Sequence, residues 1–129
     1  MQYRAIVLHA RPYAYEVYVR QCSPHAGERW LARYGCSDRL HDYQGFTWIP
    51  GDGYKIFVWL AEDADTAVVS HELVHVAVEV LRGSGVPLTY SNDESLAYLQ
   101  AHLLADFLKK HSARKKRAAL EEALRTAPY

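Results

Sequence analysis

No stretch of this 129-residue chain is apolar over the roughly 18 residues that a membrane-spanning helix needs, so no transmembrane segment is expected. The first residues, MQYRAIVLHARPY, lack the apolar core of about 7–15 residues and the small-residue cleavage site of a secretory signal. Cysteine is scarce, with only Cys22 and Cys36. Neither has a CxxC partner, which argues against a metal knuckle, and a single pair makes no disulfide framework. Both read as free thiols of a cytoplasmic protein. Excess charge of one sign is also missing. Lys+Arg and Asp+Glu are balanced at 15 each, so no overall field draws the molecule to nucleic acid or an anionic membrane. Internal repeats and low-complexity linkers are absent, which predicts one domain over residues 1–129.

What the chain does have is an apolar half, enough for one core, and seven histidines, which point to metal or proton chemistry. Residues 3–9 and 14–20, rich in β-branched and aromatic side chains and separated by Arg11-Pro12, read as one or two strands. Ser23-Pro24 starts a helix that ends by Gly35. Residues 43–49 and 54–60 flank the turn signal Pro50-Gly51-Asp52-Gly53 and predict a β-hairpin. Asp63 or Asp65 caps a helix over about 66–82, closed by Gly83, Gly85 and Pro87. A further helix is expected from Ser91 through Leu108. The basic stretch 109–117 and the apolar pattern Ala118, Leu120, Ala123, Leu124 follow as a third helix or frayed extension, a C-terminal basic part at about 109–129. Early strands and late helices predict an α+β domain, with a small mixed or antiparallel sheet of three or four strands packed on the helices.

The decisive segment is His71-Glu72-Leu73-Val74-His75. Residues four apart share a helix face, so both imidazoles can reach one ion at about 2.0–2.1 Å. Glu72 is turned about 100° from His71 around the axis, where it can approach a water without occupying the metal. It then serves as general base for hydrolysis of a peptide bond. The flanking Ala67, Val68, Val69, Leu73, Val74, Val76, Ala77, Val78 and Val80 predict a helix buried nearly all round, whose polar groups need partners. A pair of core histidines bonded to backbone or carboxylates is the competing account of the motif. A catalytic zinc takes three protein ligands. Glu79 is rejected, since it lies eight residues from His71, about 12 Å along one straight helix; it suits a partner for a His N–H. Glu94, 19 positions after His75 in the first turn of the next helix, is the candidate third ligand. The same segment, Ser91-Asn92-Asp93-Glu94, is also a capping box in which Glu94 only caps, and Asp93 is a lesser alternative.

His71-Glu72-x-x-His75 followed by Glu94 on a second helix resembles the gluzincin pattern of zinc metallopeptidases. Ser70 to His75 and Asn92-Asp93-Glu94-Ser95-Leu96-Ala97-Tyr98 resemble small HExxH proteins of bacteriophages and prophages. They are also similar to the compact peptidase domain of the ImmA/IrrE type, where a Glu-x-x-Ala phrase, here Glu94-x-x-Ala97, supplies the third ligand. The resemblance covers about residues 54–108. It implies a minimal zincin-like domain, a Zn2+ cofactor, a peptide or protein substrate, and a host-cytoplasm location for a phage-encoded protein. It also implies that the strand before the metal helix, Tyr54–Leu60, borders the cleft and binds substrate backbone. The second domain that deepens the cleft of larger gluzincins is missing, which implies a shallow site, suited to a narrow substrate or completed by a partner.

Glu94, Tyr98, His102 and Asp106 are spaced by four and share a face with some drift. Tyr98 and His102 are candidate catalytic donors to a developing oxyanion, or else a packed tyrosine and a semi-exposed histidine. His9, His25, His41 and His111 lack ligand spacing. The strand aromatics read as packing. Six Lys/Arg in residues 109–117 are the sole nucleic-acid hint, and a solvated charged face also accounts for them. The alternative to a peptidase is a non-catalytic zinc-binding regulatory or host-interaction protein that keeps the scaffold.

Overall fold

A computed structural model describes residues 4–51 and 53–127. The first two apolar segments form two strands, β1 (Ile6–His9) and β2 (Glu16–Gln21), which pair antiparallel; Tyr3, in the expected first segment, lies outside the described residues. Helix α1 (Pro24–Ala32) begins where the Ser23 side chain accepts from the Ala26 amide at 3.2 Å and Pro24 takes the first helical position. It forms part of the crossover that a parallel pair requires. Strands β3 (Gly45–Trp48) and β4 (Lys55–Leu60) form the expected hairpin. Gly51 and Gly53 in its turn have φ of 90° and 73°, values that glycine adopts without cost; Asp52 between them lies outside the described residues.

The sheet order is β1-β2-β4-β3, with β2 and β4 parallel and the other pairs antiparallel. The fold is therefore α+β with a four-stranded mixed sheet. Side-chain alternation divides the core. Ile6, Leu8, Val17, Val19, Ile56, Val58 and Leu60 pack with the two later helices. Phe57 and Trp59 turn the other way and pack with Trp30 and Leu31 of α1. This explains why Ile56 to Leu60 form a continuous apolar run: β4 is covered on both faces. Complete burial of an aliphatic side chain of this size stabilises by about 1.5–3 kcal/mol. The Trp59 indole N–H, buried with its ring, donates to the Cys22 carbonyl at 3.1 Å.

Helix α2 (Thr66–Gly83) starts where Asp65 Oδ1 accepts from the Val68 amide at 3.1 Å. Its buried side carries Val69, Leu73, Val76, Ala77, Val80 and Leu81. The expectation of burial all round is corrected: Ala67, His71, Val74 and His75 are exposed, because the sheet and the next helix leave one side of α2 to solvent.

Helix α3 (Asp93–Thr126) follows a 3-10 turn at Tyr90–Asn92 and begins two residues later than the expected Ser91. The capping box does not form. No side chain caps this helix at Asn92, and Ser91 Oγ lies 2.9 Å from Thr89 Oγ1 instead. Of the two readings of the C-terminal part, a third helix or an extension, the structure has the extension, since α3 is continuous over 34 residues. No Gly or Pro interrupts 93–126, and its Ala, Leu, Lys, Arg and Glu all favour a helix. Leu99, Leu103 and Phe107 are its buried residues. Two of the six cations in 109–117 bind backbone: Lys110 Nζ donates to the Val7 carbonyl at 2.7 Å, and Arg114 to the Arg4 carbonyl at 2.5 Å. No helix among the described residues is long and apolar enough to cross a membrane.

Candidate metal centre

The apolar stripe of α2 fixes which side meets the sheet, so His71 and His75 emerge together on the open side. Their Nε2 atoms lie 3.3 Å apart, with ring planes at 74°. Two nitrogens bound to one tetrahedral ion at about 2.0–2.1 Å would be about 3.3–3.4 Å apart. The side chains therefore have the separation that a shared zinc ion requires. The same 3.3 Å separation also allows a hydrogen bond between neutral imidazoles, one ring donating to the other.

Glu72 sits one residue away and points differently. It is 6 % exposed, a buried charged residue in an otherwise apolar interior. Thr47 Oγ1 of β3 donates to Glu72 Oε1 at 2.8 Å. Glu72 Oε2 lies 3.9 Å from His71 Nε2. One carboxylate oxygen is thus held by the sheet, and the other lies on the histidine side.

The residues border two open lobes that share Gly45, His71 and Glu72. The first, about 480 Å³, is lined further by Tyr43, Phe46, Thr47, Ile49, His75, Val78, Glu79 and Arg82. The second, about 390 Å³, adds Gln44, Ala67 and Val68. Glu79, the expected partner for a histidine N–H, instead pairs with Arg82. Burial raises the Tyr15 phenol above its ordinary pKa, and the Glu79 carboxylate adds to the effect.

The strand at the rim differs from the one expected. β4, which contains most of Tyr54–Leu60, lies inside the sheet between β2 and β3, and its residues from Ile56 on are buried. β3 is one of the two edge strands and borders both lobes. The reason is topological: β4 takes the place beside β2, which puts its hairpin partner outside.

Glu94, Tyr98 and His102 are all exposed on α3 and line neither lobe. Tyr98 is 74 % exposed. Among the described residues, no three His, Cys, Asp or Glu gather closely enough to hold an ion. Gln100 of α3 does reach α2, where its Nε2 donates to Ser70 Oγ at 2.9 Å. Cys22 and Cys36 are free, and burial raises both thiol pKa values, which keeps them protonated at neutral pH.

Gly45, Thr47 and Gln100 are the residues that sequence reasoning missed. Alternation within Gly45-Phe46-Thr47-Trp48 does set Gly45 and Thr47 on one face and the two aromatics on the other. Nothing in the sequence shows which face meets α2. Comparison of the chain with protein-family models, curated proteins and solved structures finds no match.

Proposed function

We propose that the chain is a zinc-dependent metallopeptidase with a zincin-like site, His71 and His75 as ligands and Glu72 as general base. The observation that carries this is the 3.3 Å approach of the two Nε2 atoms beside a buried carboxylate. A purely structural ion has no use for such a carboxylate.

Glu94 is the proposed third ligand. It is exposed, without a hydrogen bond or ion pair among the described residues, on a helix that turns back along α2. Its carboxylate would complete a His2Glu donor set that suits zinc once the first turn of α3 comes to the histidines, since no third ligand stands beside them among the described residues. When bound, zinc supplies Lewis acidity, polarising a carbonyl and making water a stronger nucleophile at neutral pH. Glu72 takes a proton from the attacking water at Oε2, while Thr47 keeps Oε1 occupied. The same carboxyl group then returns the proton to the leaving amine. The outer side of β3 pairs with no other strand among the described residues, which offers an extended peptide a row of backbone donors and acceptors. Tyr98 and His102 are proposed as donors to the oxyanion, a role that requires them to come to the site with substrate.

The test is hydrolysis of a library of fluorescence-quenched hexapeptides by the zinc-loaded protein and by Glu72→Gln. Cleavage by the wild type, lost in a variant that still holds zinc, is the expected result. A second reading has an observation of its own. The His71 side chain is 69 % exposed and both lobes are open, which also suits a zinc-binding regulatory protein that docks on a host partner. Zinc binding with no hydrolysis, and a biological effect unchanged by Glu72→Gln, is the outcome that selects this reading.

A further inference from the structure

Strand β3 meets Glu72 at two points. Gly45 and Thr47 are two residues apart, so they face the same side of the sheet. Phe46 and Trp48, between and after them, pack against the opposite cluster and fix that orientation. At Thr47 the contact is the 2.8 Å hydrogen bond to Glu72 Oε1. At Gly45 it is the absence of a side chain. A Cβ built there would lie 2.8 Å from Glu72 Cγ, 3.1 Å from Glu72 Cδ and 3.0 Å from Val68 Cγ1. Real Cβ atoms essentially never approach another heavy atom within 3.0 Å, as the contact with Glu72 Cγ would require, and here the obstacle is the stem of a buried side chain.

We propose that Gly45 and Thr47 are positioning residues that clamp the Glu72 carboxylate, committing Oε1 to the sheet and leaving Oε2 free for the proton. The inference rests on the peptidase reading for its function, but the clamp itself is a property of the polypeptide and can be observed without turnover.

A buried carboxylate needs partners wherever it occurs, so a hydroxyl beside one is often only satisfaction of a polar group. Two features go further. The hydrogen bond leaves the two oxygens inequivalent, with the second 3.9 Å from His71 Nε2. The glycine permits the strand to press on the carboxylate stem at a site where any larger residue would move it. A general base must lie within hydrogen-bond reach of the proton that it removes, and a displacement of about 1 Å can cost about a hundredfold in rate.

The experiment compares wild type, Thr47→Val, Thr47→Ser and Gly45→Ala, each zinc-loaded, for bound zinc and for kcat and KM on the fluorescence-quenched hexapeptide library. Crystal structures of wild type and Thr47→Val give the Glu72 rotamer independently of activity. The clamp predicts that Thr47→Val lowers kcat by about tenfold or more with KM and zinc content near wild type. Thr47→Ser restores most of the rate, and Gly45→Ala loses more than Thr47→Val. In the Thr47→Val crystal the carboxylate turns away from its wild-type rotamer. An unmoved carboxylate, or a wild-type kcat in Thr47→Val, overturns the clamp and leaves the peptidase proposal intact. A turned carboxylate in a protein whose wild type cleaves no peptide supports the clamp and rejects the peptidase reading.

Discussion

Helices α2 and α3 carry the proposed site residues in opposite ways. On α2, Glu72 is buried and tied to Thr47, and the two histidines beside it converge to 3.3 Å. On α3, Glu94, Tyr98 and His102 stand in solvent. The difference follows from what each helix packs on. α2 lies on the sheet and receives contacts from β3, β4 and α3, so its polar residues are fixed from outside the helix. α3 is anchored through Leu99, Leu103 and Phe107, and its opposite side meets nothing among the described elements. A side chain is preorganised when a second element touches it, and sequence spacing alone does not supply that contact.

Glu72→Gln sharpens this contrast most. Turnover is expected to fall at least about a hundredfold with zinc retained, the scale of a lost general base. Tyr98→Phe and His102→Ala test the other helix in the same assay. A fall of about tenfold or more in either shows that α3 closes onto the site in the complex. Near-normal rates with zinc retained remove both residues from the mechanism.

The two halves of α3 provide a comparison in stability. Leu103 is fully buried, and Leu103→Ala is expected to cost about 2–5 kcal/mol in urea unfolding. Leu120 is 60 % exposed, and Leu120→Ala is expected to stay within about 0.5 kcal/mol. A large loss at Leu120 breaks the comparison and indicates that the end of α3 is packed in solution.

The smallest expected effect is at His111, stacked on Phe107. Burial lowers its pKa below the ordinary value of 6.5, and Lys115 and Arg114 lower it further. The unfolded chain therefore takes up this proton at a higher pH than the folded chain does. Stability contributed by neutral His111 is present above about pH 6.5 and declines as the pH falls through the folded pKa. His111→Gln should flatten that part of the acid-side decline in thermal unfolding, and an unchanged pH slope contradicts the assignment.

The sequence disclosed elements better than their surroundings. Capping signals located the starts of α1 and α2, because those signals are local; of the two candidates Asp63 and Asp65, Asp65 is the cap of α2. The β3–β4 hairpin was legible from the glycine-rich turn between two apolar runs. Its place in the sheet was not, because β4 pairs with β2 across a long crossover, and that pairing decides which strand becomes the edge. The histidine pair was visible as spacing on one helix. Thr47 was invisible as the partner of Glu72, because the contact joins residues 25 apart. The apolar flanks of the motif overstated its burial for the same reason: the pattern shows what a helix could bury, and its neighbours determine what it does bury.

The most direct test of the account is the zinc content of the purified, untagged protein by elemental mass spectrometry, with His75→Ala and Glu94→Ala alongside. The account predicts about one zinc per wild-type chain, lost in His75→Ala and sharply reduced in Glu94→Ala. Less than about a tenth of an equivalent in the wild type, after incubation with zinc and dialysis, would contradict it and make His71 and His75 an ordinary exposed pair.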